Sequence, residues 1–221
     1  RSASAAPARR SPVITRGQRL AIVLAALGCA AWCVVNGGML LANHRQYLML
    51  THFSNREPGA GIQSFDAALA VPANPYRYQV QRGFAAACAR FAAEGGRLPD
   101  AAITLGRARE SGLAAIRAAK LDYSLRVSFA NFAGALYPLD RSFLADGEEQ
   151  AKEALRLSPR RQEAYFAWAR LESAAGRRDQ ALALLETAVA LDPEVGECQF
   201  YLAMLDFDAG RTQEGFKALE L

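Results

Sequence analysis

The chain has 221 residues, 52% of them hydrophobic and 22% charged, with two histidines and four cysteines. That length holds one helical domain with a real core, and sparse β-branched residues without any alternating apolar run exclude a sheet protein. The formal charge of +4 is local: Arg1, Arg9, Arg10, Arg16 and Arg19 fall in the first nineteen residues with no acid, the rest stands near −1, and the basic balance therefore gives no reason to expect nucleic acid as a partner.

The chain opens on Arg1 rather than methionine, so a processed or excised piece of a longer protein is expected. Residues 1–19 are rich in Arg, Ser, Ala and Pro, cannot pack a core and are expected to be flexible. Residues 20–42 (LAIVLAALGCAAWCVVNGGMLLA) carry no charge, and Asn36 is their only strongly polar side chain. Twenty-three helical residues reach about 34 Å, enough for a bilayer core of about 30 Å. A transmembrane helix is expected. A secretory signal fits less well, because the run is too long and no small-x-small cleavage site closes it. With the arginines ahead of the helix, the positive-inside rule puts the tail in the cytoplasm and everything after Ala42 outside. Gly28, Gly37 and Gly38 permit close contact with another membrane helix, or simply tolerate lipid. Cys29 and Cys33, one turn apart, read as apolar fillers rather than a metal pair or lipidation site.

Residues 43–60 read as a juxtamembrane connector. Tyr47 and Phe53 suit an interfacial level. His44, Arg45, His52 and Arg56 form a basic cluster that either meets a lipid headgroup or lipid-linked phosphate or belongs to an extension of the helix with solvated charges. Residues 61–221 read as a series of helices divided by Pro and Gly. They are expected over 62–71, 76–94, 100–120, 122–137, 142–157, 162–174, 179–191, 195–209 and 212–221, with Pro72 and Pro75 closing the first.

The clearest part is QEAYFAWARLESAAGRRDQALALLETAVALDP, residues 162–193. Tyr165, Trp168, Ala169 and Leu171 give the first arm an apolar face, and Ala181, Leu184, Leu185, Ala188 and Leu191 do so for the second. Ala169, Ala181 and Ala188 stand where two backbones must approach. Gly176 marks the turn and Pro193 follows the end. This pattern resembles a tetratricopeptide repeat, whose period is about 34 residues. Here the clearest repeat spans 162–195. Glu172 departs from it, standing where the family prefers an aromatic. Pro159 and Pro193 are one period apart, as are Gly176 and Gly210. The flanking repeats are degraded: the preceding one keeps Ala154 but lacks the glycine, and the last has Gly215 where Ala is usual. The expected fold is all-α, one transmembrane helix followed by an α-solenoid of such hairpins.

The resemblance implies a protein partner bound by the first helices of the hairpins. That face would present Glu163, Phe166, Arg170 and Ser173, then Glu197, Phe200, Met204 and Phe207. The second set is unusually apolar and reads equally as a peptide or helix groove or as the seam to a further repeat. The Lys and Asn pattern that clamps a peptide carboxylate in some relatives is absent, which leaves Arg170 as a weak anion site.

No catalytic, metal or cofactor motif is present: no Gly-rich phosphate loop, no His-Glu-x-x-His, no Cys-x-x-Cys. Cys88 and Cys198 read as two buried thiols, or as a disulfide if the fold brings them within about 6 Å.

The order of segments, a basic tail, an apolar helix and then EEQAKEALRLSPRRQEAYFAWARLESAAGRRDQALALLETAVALDPEVGECQFYLAMLDFDAGR, resembles the carboxy-terminal part of bacterial O-antigen ligase and polymerase-like membrane proteins. That likeness implies the inner membrane, an extracytoplasmic solenoid and cell-surface polysaccharide assembly. The family's catalytic positions lie among many membrane helices, so none is carried over. Two other readings stand beside it: a single-pass scaffold for envelope assembly, and a processed protomer that self-associates into an oligomer or filament.

Overall fold

A computed structural model describes residues 16–71, 77–193 and 196–219, with the backbone alone for 16–22. The first fifteen residues of the basic tail, Pro72 and Pro75, Val195 and the last two residues lie outside that set.

The described residues form α1 (Arg16–Ser54), α2 (Pro58–Leu69), α3 (Arg77–Ala93), α4 (Ala101–Ala118), α5 (Tyr123–Leu136), α6 (Phe143–Leu157), α7 (Gln162–Ala174), α8 (Arg178–Leu191), α9 (Gly196–Asp208) and α10 (Thr212–Leu219). No strand occurs among them. They pair as consecutive hairpins, and each first helix up to α7 packs on the first helix of the previous hairpin: α3 on α1, α5 on α3, α7 on α5. Each second helix also touches the first helix of the next hairpin. This is the nearest-neighbour stacking of a solenoid.

The turns explain where the hairpins bend. Gly95, Gly176 and Gly210 follow the first helices of three hairpins with φ of 73°, 78° and 74°. In the α7–α8 and α9–α10 turns the glycines are one 34-residue period apart and allow the same reversal. Arg177 N–H then bonds the Glu172 carbonyl at 2.9 Å, and Arg211 N–H bonds the Asp206 carbonyl at 2.8 Å. Loop anchors repeat too: Tyr165 donates to the Pro159 carbonyl, and Gln199, one period on, donates to the Pro193 carbonyl.

The expected connector over 43–60 is instead part of the first hairpin. α1 runs without interruption to Ser54, with Ala42, Met49 and Phe53 buried, and α2 starts at Pro58. Proline at a first helical position loses no needed donor, so Pro58 opens a helix rather than prolonging a break. Gly61 follows because the Phe53 ring lies where a Cβ would stand, 2.6 Å away.

Two parts of α1 have opposite surroundings. Every residue from Val23 to Val35 is exposed. One polar group in the apolar run is satisfied locally, since Asn36 Nδ2 donates to the Trp32 carbonyl at 2.8 Å. The helix is long and apolar enough to cross a membrane. Its last three turns are the first solenoid helix.

Glu172, the departure from the repeat pattern, is 2% exposed. Trp168 Nε1 donates to its Oε1 at 2.6 Å, and Arg177 approaches Oε2 at 3.2 Å while also reaching Glu148 at 2.8 Å. One period later Asp206 is 4% exposed and pairs with Arg211 at 2.6 Å. A buried carboxylate with an arginine from the turn thus takes the aromatic's place in two successive hairpins. Gly215 also has a local reason: the Phe207 ring occupies the space a Cβ would need, 2.6 Å away.

Candidate interaction groove

Helices α5, α7, α8 and α9 enclose a groove of about 270 Å³, lined by Gly134, Ala169, Arg170, Ser173, Tyr201 and Leu205 among others. Small residues make it: Gly134 lets α5 come within 3.4 Å of the Leu171 backbone, measured from the position of a Cβ. Its polar rim is Arg170. The guanidinium lies 5.6 Å from the Phe166 ring centre and 5.9 Å from that of Tyr201. The two rings are 4.5 Å apart and tilted by 60°. Cation–π contact of this kind is worth about 0.5–1 kcal/mol at an exposed site and holds the guanidinium over the groove mouth.

Of the expected face, α7 contributes unevenly. Arg170 and the half-buried Ser173 line the groove. Phe166 is 6% exposed, covered by Arg170 and Tyr201. Glu163 is exposed and held at one end by Arg161 at 3.6 Å and the Tyr123 hydroxyl at 3.4 Å. Burial pushes the Tyr123 hydroxyl up to about 12, with the Glu163 charge adding to it. Glu197 lies beside a second hollow of about 330 Å³, with Arg160, Arg161, Phe166 and Cys198 on its walls.

On α9 the groove wall is Tyr201 and Leu205, which periodicity alone did not single out; Phe200, Met204 and Phe207 lie on the adjoining face. They are 51%, 45% and 36% exposed. The repeat register explains the contrast. Phe200, Met204 and Phe207 are one period after Phe166, Arg170 and Ser173. On α7 Phe166 is covered by Tyr201 of α9; on α9 Phe207 packs against Phe216 of α10, while among the described residues no helix covers Phe200 or Met204. The signal that locates Tyr201 and Leu205 is therefore register: they sit one period after the buried Ala167 and Leu171, on the side that packs inward.

Cys88 and Cys198 are both free and belong to different clusters of the core. Burial raises the Cys88 thiol to about 12, partly offset by Arg107, and raises Cys198 to about 11, with Glu197 and Glu163 adding to it. No group of His, Cys, Asp or Glu side chains able to hold a metal ion occurs among the described residues.

The fold is shared with solved tetratricopeptide repeat proteins. TTC0263, a thermophilic protein of Thermus thermophilus, aligns at TM-score 0.53 and 22% identity, over 81% of this chain and 90% of its own. PilF of Pseudomonas aeruginosa aligns at TM-score 0.54 and 14% identity, over 82% and 75%. MamA, residues 41 to the end, of Desulfovibrio magneticus RS-1 aligns at TM-score 0.51 and 11% identity, over 81% and 92%. No protein-family profile and no curated protein matches the sequence. The likeness defines the class of fold: an all-α tetratricopeptide-like solenoid.

Proposed function

We propose that the chain is a membrane-anchored docking module whose solenoid receives an apolar helix from a protein partner on the open face of α9. The observation that carries this reading is the register contrast, Phe166 6% exposed and Phe200 51% exposed at equivalent positions. The α9 face has the composition of a seam, and among the described residues α10 covers only its Phe207 end. Aromatic and methionine side chains are the residues that anchor such helix-in-groove contacts. Arg170 at the neighbouring groove mouth supplies a single positive charge, suited to an acidic residue beside the apolar stripe of the incoming helix.

In this reading α1 crosses the inner membrane, the arginine-rich tail is cytoplasmic and the solenoid is extracytoplasmic. The setting is cell-surface polysaccharide assembly, in a ligase or polymerase-like membrane protein. The order of segments, a basic tail, an apolar helix and a repeat solenoid, supports this setting.

A photo-crosslinking residue placed at Met204 of the full chain, in native membranes, tests the docking face. The expected result is a discrete adduct whose yield collapses when Phe200 is changed to Ser. Absence of an adduct at Met204 and at Phe207 overturns the proposal. An adduct between two copies of this chain favours the self-association reading, for which Phe216 and Leu219, 58% and 51% exposed on α10, extend the same apolar surface.

A further inference from the structure

The base of the solenoid, where α1 leaves its fully exposed apolar stretch, carries a group of cations with nothing to neutralise them. Arg45 on α1 and Arg77 and Arg82 on α3 are exposed and make no ion pair or hydrogen bond among the described residues. No Asp or Glu occurs in residues 20–56 or 70–93. Elsewhere in the solenoid arginines are commonly paired: Arg107 with Asp66, Arg109 with Asp146, Arg156 with Glu153, Arg177 with Glu172, Arg211 with Asp206. His52, read from sequence as part of the basic cluster, bonds Glu57 at 2.8 Å and belongs to the opposite end of the hairpin.

Helix packing places the three arginines at one height. α3 runs parallel to the end of α1: Gly83 stands against Gln46 and Met49, and the Phe53 ring lies between Phe84 and Phe91 at 6.2 and 5.9 Å. Arg77 is then about level with Ala42, where the apolar run ends, and Arg82 about level with Tyr47; Arg45 falls between. Five residues of helix span about 8 Å, and the headgroup layer on one side of a bilayer is about 5–8 Å deep. Tyr47, 66% exposed at the same height, is the aromatic expected at that level.

We infer that Arg45, Arg77 and Arg82 form a collar that binds the headgroups of anionic phospholipids in the leaflet from which the solenoid emerges. The inference rests on the reading that α1 spans the membrane. Guanidinium forks match phosphate oxygens in pairs. Because two of the three arginines come from α3, the contact seats the solenoid on the membrane rather than merely flanking the span.

The test uses the full chain in mixed detergent micelles holding equal phosphatidylglycerol and phosphatidylcholine, with the retained lipid counted by native mass spectrometry. The wild type is expected to retain phosphatidylglycerol preferentially. Each basic residue near an anionic surface is worth about 1 kcal/mol, about five-fold, so Arg45→Gln, Arg77→Gln and Arg82→Gln together should reduce the preference on the order of 100-fold. A variant with the same loss of charge far from the base, Arg160→Gln, Arg178→Gln and Lys217→Gln, should keep it. Excess inorganic phosphate should not displace the lipid; displacement assigns the site to free phosphate and overturns the inference. So does equal retention of both lipids, or equal loss in the two triple variants. Circular dichroism and melting of both variants confirm that they fold. If the chain leaves native membranes in an alkaline wash, the spanning reading itself fails; if it stays and lipid retention ignores the three arginines, only the collar fails.

Discussion

From α1 to α5 the core is aromatic: Phe53, Phe65, Phe84, Phe91, Phe129 and Phe132 are buried, with Phe65 and Phe84 stacked at 3.9 Å. From α6 to α9 alanines are prominent among the buried side chains: Ala151, Ala154, Ala164, Ala167, Ala169, Ala181 and Ala188 are all at most 1% exposed. Here buried acid–arginine pairs replace part of the aromatic packing. Both halves build the same kind of hairpin. In the first, rings fill the space and glycines make room for them, as Gly112 does for Phe129 and Phe132. In the second, small residues bring backbones together and a salt bridge ties the turn to the helix before it. Hairpin stacking thus constrains volumes and turn geometry more tightly than residue type.

The largest expected effect lies in the aromatic half. Phe84 is fully buried and touches Phe53 and Phe65, so Phe84→Ala should destabilise by about 3–5 kcal/mol, read as a lowered melting temperature of the detergent-solubilised chain.

The alanine half should break at its ion pair, and asymmetrically. Arg177→Ala leaves the buried Glu172 carboxylate with only the Trp168 N–H. The loss should exceed that of Glu172→Gln, because it leaves a buried charge unpaired. Glu172→Gln keeps the shape and an acceptor and should cost about 1 kcal/mol. Equal losses in the two melting curves would contradict this account of the repeat's departure from its family pattern.

Alkaline pH separates the halves through their thiols. Folding raises Cys88 to about 12 and Cys198 to about 11, so the folded state holds its protons where an unfolded thiol, near 9, has lost them. The stabilising contribution is complete below about pH 9 and is lost as pH rises toward each folded value, at about 1.4 kcal/mol per pH unit per thiol. Cys88→Ala should flatten the alkaline loss up to about pH 12, Cys198→Ala only up to about pH 11; unfolding free energies measured across that range check both.

The smallest effect belongs to the turns. Gly176→Ala and Gly210→Ala force a side chain into positive φ and should each cost about 1 kcal/mol. Similar shifts in the two melting temperatures would show that the turns are equivalent although their hairpins are not equally regular.

The same contrast explains what could be read from the sequence. Hairpin boundaries from α3 onward were legible because Gly95, Gly176, Gly210, Pro159 and Pro193 punctuate them. The α7–α8 repeat was legible because Ala169, Ala181 and Ala188 occupy the family's small positions. The first hairpin was not, since its first helix is the continuation of an apolar span and hydropathy alone draws the boundary at Ala42. In the groove, Arg170 and Ser173 were readable from helical spacing. Tyr201 and Leu205 were not, because the apolar residues of α9 surround the helix and only packing distinguishes the groove wall from the open face.

Hydrogen–deuterium exchange of the full chain in lipid nanodiscs tests most directly the claim that one rigid helix passes from the apolar span into the solenoid. Amides of residues 43–54 should exchange no faster than those of α3, with no unprotected stretch after Ala42. A rapidly exchanging segment between residues 42 and 48 would make the solenoid a loosely tethered domain and contradict the continuous first hairpin.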